Sequence, residues 1–336
     1  MSSNNVYSQL QKIIIRGLLL LSPLIILALV FIIKDPLKVI YTYSSPLEIG
    51  VLMNDRHYQA KYLQENKIKY SSFIFGSSRS KMYQTDKWRA FIDDSLIFHM
   101  GVNDESIWGV MKKMSYLDKE GYSIKNCLLP LDARLLRDIE NNEAHIFRDH
   151  PLISGETNIE YYKYFVMAFL SPDFLKAYFK CNQSHQFDES MKTYIWKEKF
   201  KYNQQTGDIY YSEYDSLIQY DAASYYKSDV FYKRDTTLIK QKTKAVLTKK
   251  SKMYLTAIKA IFDKQHTQYK IIITPNYDQV KLDSSDLHFI TTLFGTNNTS
   301  DFSGINKWTN DIHNYYEFKH FLPAIADSTL RISYRK

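Results

Sequence analysis

Residues 71–80 read Ser-Ser-Phe-Ile-Phe-Gly-Ser-Ser-Arg-Ser, a short apolar stretch that runs directly into Gly76-Ser77-Ser78-Arg79. Far along the chain, Glu317-Phe-Lys-His320 sets an acid three residues ahead of a histidine. A hydroxyl becomes nucleophilic when a histidine takes its proton and an acid orients that histidine. Glycine permits a sharp strand-to-helix turn, and a helix behind it aims backbone N–H groups at developing negative charge. The chemistry implied is acyl transfer through a serine ester. His320 would be the base, Glu317 its orienting acid, and the N–H groups of Ser78 and Gly101 the oxyanion donors. Each segment alone has a plainer reading, as an ordinary turn and as a solvated helix start. Their order and separation are the more informative observation.

Other residues offer weaker chemistry. Arg79 is a candidate for binding an anionic glycan or headgroup, and Asp132 is either a second acid at the site or a helix N-cap. His99 reads as a packed strand-end residue and His313 as a lesser rival to His320. His145, Asp149 and His150 match no metal-ligand spacing. With only 10 glycines in the chain, nothing matches a P-loop or dinucleotide fingerprint. No metal or other cofactor is expected.

The elements that must position these residues follow from apolar periodicity. Strands are expected at 71–75, 96–100 and 126–131, ending at Gly76, Gly101 and Asp132, and a further strand at 269–275. Between them, helical spacing appears at 55–65, at 87–92, from Ile107 to a stop at Gly121, and from an N-cap at Ser251 through Phe262. A last helix is expected over 321–331. Alternating strands and helices argue for an α/β fold with a parallel sheet covered on both faces. In such sheets ligands bind beyond the carboxyl ends of the strands, where Ser77, Ser78, Gly101 and Asp132 fall. From 136 to 250 the rhythm breaks into an aromatic-rich, mostly helical insertion or cap.

Hydrophobic residues make up 45% of the 336-residue chain, enough for a sizeable core. The formal charge of +8 is scattered, with no basic run interleaved with aromatics, which argues against nucleic acid as a partner. Cys127 and Cys181 are the only cysteines, too few for a disulfide framework, and Cys127 reads as a free core thiol. Residues 17–33 carry no charge and, with Ile13 to Ile15, are long enough to cross a bilayer as an uncleaved anchor. Lys12 and Arg16 before the run are matched by Lys34 and Lys38 after it, so charge leaves the topology open.

Taken together, these segments resemble the SGNH (GDSL-like) hydrolases. The chain is most similar to the membrane-anchored, extracytoplasmic SGNH-like proteins of bacterial polysaccharide and cell-wall O-acylation, such as those of alginate acetylation and D-alanyl-lipoteichoic acid transfer. The resemblance rests on the apolar span followed by Asp35-Pro36-Leu-Lys38, on Phe75-Gly-Ser-Ser-Arg-Ser80, and on Met100-Gly101-Val-Asn103. It also rests on Ile273-Thr-Pro275 and on the tail from Asp301-Phe-Ser-Gly304 to Tyr316-Glu-Phe-Lys-His-Phe321. It implies a three-layer α/β sandwich of SGNH or flavodoxin-like type. Residues 1–40 would form a cytoplasmic tail and transmembrane anchor, and 41–336 one extracytoplasmic domain interrupted by 136–250.

By the family's order Ser78 is the nucleophile and Gly101 the oxyanion glycine. Glu317 stands where Asp is usual. Leu131-Asp132-Ala133 occupies the place of the usual oxyanion asparagine, with Asn103 as a substitute. The implied function is O-acyl transfer to, or removal from, a surface polysaccharide, with a membrane-bound O-acyltransferase as donor partner. The alternative is a non-catalytic accessory protein that binds glycan or scaffolds an export complex.

Overall fold

Five short apolar runs become parallel strands: β1 (Ser72–Ile74), β2 (Ile97–His99), β3 (Asn126–Leu131), β4 (Gln268–Ile273) and β5 (Thr299–Asp301). The computed structural model describes residues 3–41, 43, 50–51, 53–66, 68–184, 195–196, 200–234 and 244–335. The strands lie in the order β2-β1-β3-β4-β5, every pair parallel. Strands buried on both faces need not alternate apolar with polar residues. Accordingly β3 reads Asn-Cys-Leu-Leu-Pro-Leu and is buried throughout.

Alternate residues of each strand feed two separate cores. Phe73, Cys127, Leu129 and Ile271 face one side, with Val110 and Met114 of α3 (Ile107–Lys119) and with Leu255, Ile258 and Phe262 of a long helix at Lys249–Gln265. Ile74, Leu128 and Ile272 face the other, with Trp88, Tyr315, Phe321, Ala326 and Leu330. Cys127 is free and buried, and burial pushes its thiol well above the ordinary value. The helix expected at 55–65 forms as α2 (Asp55–Glu65), capped by Asn54, whose side chain accepts from the His57 N–H.

Several expectations shift. The helix expected to start at a Ser251 cap begins earlier. Thr248 is the N-cap, and Ser251 sits three residues on, bonding back to it in a capping box. The expected 87–92 helix is one α-turn (Thr85–Trp88) followed by a 3₁₀ turn (Arg89–Phe91). The helix at Ser284–Phe294 and strand β5 were not anticipated; Asp283 caps that helix, and Ile290 and Phe294 bury one face of it. The last helix runs from Pro323 to Tyr334, because His320 and Phe321 belong to a short strand instead.

Within 136–250 the chain forms α4 (Pro151–Ser154), α5 (Asn158–Phe169), α6 (Pro172–Ser184) and α7 (Ser212–Tyr225). It also forms a hairpin of Lys201–Tyr202 with Ile209–Tyr210. That hairpin closes the exposed edge of the sheet: the His99 N–H donates to Thr206 O at 2.7 Å, and Tyr70 donates to Gln205 O. Preceding the domain, α1 (Ser3–Lys34) includes a 28-residue stretch, Tyr7–Lys34, long and apolar enough to cross a membrane.

Candidate active site

The strand order reverses between β1 and β3, the switch point at which doubly wound sheets open a crevice. The Gly76 turn leaves β1 at this point. Gly76 has φ of +134°, and a Cβ on it would lie 2.9 Å from both Pro130 O and the Ser80 Cβ. Glycine therefore lets the turn press against the end of β3. Ser77 is buried and donates to Asp132 Oδ2 at 2.7 Å. Ser78, partly exposed, opens a 3₁₀ turn (Ser78–Met82). Asp132 accepts from the N–H groups of Arg134 and Leu135 and pairs with Arg79 at 3.1 Å. It is thus the helix cap and also the brace of the serine turn. Burial alone would raise the Asp132 carboxyl, but Arg79, Ser77 and the two N–H donors more than offset this and hold it below the ordinary range.

Glu317 and His320 lie on a tight hairpin, not at the solvated helix start of the plainer reading. Tyr315–Glu317 and His320–Phe321 pair antiparallel across a two-residue turn, with Glu317 opposite His320. The Glu317 carboxylate bonds His320 Nδ1 and also accepts from the Lys319 N–H at 2.7 Å. A carboxylate only accepts, so Nδ1 carries the hydrogen and the neutral ring presents a lone pair at Nε2. That Nε2 atom is buried and has no hydrogen-bond partner among the described residues. Burial lowers the His320 pKa; Glu317 partly counters this, while Arg79 and Lys81 push it further down. At neutral pH the ring is the free base.

Ser77, Ser78, Arg79, Asn103, Asp132, Glu317 and His320 line one cavity of about 750 Å³. The structure therefore gathers six of the seven residues singled out from the sequence (Ser78, Arg79, Asn103, Asp132, Glu317 and His320) into one space. Gly101 is the exception, lying behind the turn instead of on the wall. A Cβ there would fall 1.8 Å from Ser80 Oγ and 2.8 Å from His99 Nε2. Gly101→Ala should therefore lower stability by about 1–3 kcal/mol through overpacking, read as the urea midpoint of the detergent-solubilised chain. An unchanged midpoint would mean that Ser80 has room to move aside.

Asn103 gains a defined orientation. Lys81 Nζ, a donor only, bonds Asn103 Oδ1 at 3.0 Å and Asp55 Oδ2 at 2.7 Å. The amide oxygen is thereby committed to Lys81, and its NH₂ is the group left to donate. Behind the turn lies a network that sequence reasoning missed. Ser80 Oγ bonds Ser77 O at 2.7 Å and His99 Nε2 at 3.1 Å, and His99 Nδ1 faces Asp208 Oδ1 at 3.4 Å. Ser80, His99 and Asp208 are each at most 1% exposed, so they brace the turn and cannot meet a substrate.

The opposite wall comes from the 200–234 segment: Phe200, Ile209, Tyr211, Tyr214, Val230 and Tyr232. Aromatic crowding in the sequence was its only signal. His313, His150 and His145 lie elsewhere. His313 is exposed and pairs with Asp311. His150 accepts from the Leu152 N–H and packs on His57, and His145 packs on Phe165. Among the described residues no group of His, Cys, Asp and Glu could hold a metal ion. No protein-family model matches this chain, and no curated protein matches it significantly.

Proposed function

We propose that the protein is a membrane-anchored, SGNH-like serine O-acyltransferase or acylesterase acting on a surface polysaccharide. Its soluble part would be extracytoplasmic, a three-layer α/β domain with 136–250 as its cap. The observation that carries this reading is the convergence on one cavity of Ser78, at a glycine-enabled strand end, with a Glu317–His320 pair whose Nε2 is unpartnered.

Ser78 Oγ bonds to the ester carbonyl carbon as its proton passes to His320 Nε2. The Ser78 N–H and the Asn103 amide donate to the oxyanion. Collapse breaks the ester C–O bond, and His320 returns the proton to the leaving oxygen. An acceptor sugar hydroxyl then attacks the acyl-serine by the same steps; water in its place gives hydrolysis. The aromatic wall suits the apolar faces of sugar rings, and the volume falls within the ordinary range for ligand pockets. The resemblance supplies a multi-spanning membrane-bound O-acyltransferase as acyl donor.

One observation favours the second reading, a glycan-binding accessory protein. His320 Nε2 makes no hydrogen bond to Ser78 Oγ, and the acyl reading requires the pair to form one on substrate binding. The deciding experiment incubates the full chain with an activated acetyl ester, with and without an oligosaccharide acceptor. Acyl mass on the Ser78 peptide and acylated oligosaccharide are expected. Neither product, with the oligosaccharide still bound, establishes the accessory role.

The lowered His320 pKa sets the pH profile. kcat/KM should hold through neutral pH and fall only on an acid limb below about 6.5, the unperturbed histidine value. Glu317→Gln removes the charge that props this pKa up, so the limb should move further down while the plateau rate drops. A limb that moves upward would refute the pairing.

A further inference from the structure

The end of α1 is tied to the body by an apolar cluster. Phe31, Leu37 and Val39 are buried with Phe165, Phe169 and Phe174, and Leu27 and Val30 pack at its edge. The rings of Phe31 and Phe169 lie 5.3 Å apart. Lys34 closes the apolar run, and Asp35 then accepts the N–H groups of Val39, Ile40 and Tyr41, folding the chain sharply away. At 1.5 Å per residue, Phe31 and Leu27 lie about 5–10 Å inside that polar boundary. The elements packed on them must share that level.

α5 is apolar on two sides. Tyr161, Phe165 and Phe169 face inward. On the outside, Lys163, Val166, Met167 and Leu170 recur at i, i+3, i+4 and i+7, all exposed, Met167 by 59%. On α6, Phe179 is 48% exposed and lies one helical turn from the exposed Lys176. A helix apolar on both sides has a second environment besides the core. Apolar residues flanked by lysines, at the level where a span meets polar chain, match the physics of an interfacial segment. Tyr41, 49% exposed and bonded to Ile32 O, adds an aromatic at the same boundary.

We propose that the outer face of α5 and α6 seats on an anionic lipid surface beside α1, with Val166, Met167, Leu170 and Phe179 at the headgroup–acyl boundary and the lysines on the phosphates. The proposal rests on α1 spanning the bilayer and is independent of the Ser78 chemistry. Its consequence is geometric: the body is held against the membrane at two points, not swung from one.

The test uses the full chain with Cys181→Ser, leaving buried Cys127 in place. Single cysteines at Leu24, Met167 and Met253 carry a polarity-sensitive fluorophore in vesicles of phosphatidylcholine and phosphatidylglycerol containing nitroxide lipids. The expected result is quenching of the Leu24→Cys label by deep nitroxides and of the Met167→Cys label by shallow ones with a blue shift. The Met253→Cys label on the Lys249–Gln265 helix should respond to aqueous iodide alone. Removing phosphatidylglycerol should weaken quenching at 167. If Leu24→Cys is quenched while Met167→Cys behaves like Met253→Cys, the docking surface is wrong and the span stands. If neither is quenched, the span reading fails and the proposal with it. Protection at 167 in native membranes but not in these vesicles would assign the face to a protein partner and overturn the lipid proposal.

Discussion

Ser78→Ala should cut turnover of an activated acetyl ester by about six orders of magnitude, leaving the residual rate that oxyanion donors and binding provide. Glycan affinity should be unchanged, because the aromatic wall from 200–234 is untouched. Ser77→Ala is the informative companion. Ser77 donates its hydroxyl to buried Asp132, so its loss removes one brace of the turn without removing the nucleophile. That variant should lose about 1–3 kcal/mol of stability and keep most of its rate. Reversal of the two phenotypes would transfer the nucleophile to Ser77. Equal turnover in wild type and Ser78→Ala would end the serine mechanism.

Glu105→Ala should be the most destabilising single change away from the cavity's chemistry, at about 3–5 kcal/mol. Glu105 bridges Arg56 at 3.3 Å and Lys113 at 2.5 Å, and all three side chains are at most 2% exposed. Removing it leaves buried Lys113 without a carboxylate and Arg56 with Asp149 alone, at 3.5 Å. Arg56 also donates to the carbonyls of Asn103 and Asp104, and Lys113 to that of Met100, so the loop carrying Asn103 should loosen as well.

The pH dependence has a definite sign. Burial would raise the Glu105 carboxyl, but Lys113 and Arg56 outweigh it and hold the value low. Its contribution is therefore present above the ordinary carboxylate range and lost as pH falls through the lowered folded-state value. Neighbouring Asp149 goes the other way, pushed up to about 6 by burial and by Glu105. Urea titrations from acid to neutral pH should give a shallower acid loss in Glu105→Ala. An unchanged midpoint would show that Asp149 takes over the lost charge.

The sheet was legible because its strands are short apolar runs ending in Gly76, Gly101 and Asp132, residues whose turn and capping habits mark strand ends. Ser78, Asn103 and His320 could be singled out because chemistry limits which residue types serve as nucleophile, donor and base. The Glu317–His320 hairpin was not legible because acid-x-x-His suits both a helix turn and a tight hairpin. Lys81 and Asp208 were invisible: a lysine in a polar turn and an aspartate in a hairpin look solvated until their partners, Asp55 and His99, come from distant chain. The Ser284–Phe294 helix was missed because Leu287, Phe289 and Leu293, half-buried against the core, widen its apolar face and blur its period.

The bond between the Asp208 hairpin and the turn behind Ser78 bears on how this chain can be cut. Excising 136–250 as a dispensable ornament would bare the edge of β2, leave the His99 N–H and imidazole without Thr206 and Asp208, and slacken Ser80. The segment that would grip the acceptor would then also be a strut beneath the proposed nucleophile. Swapping it to change specificity therefore requires carrying the Thr206–Asp208 clasp across intact.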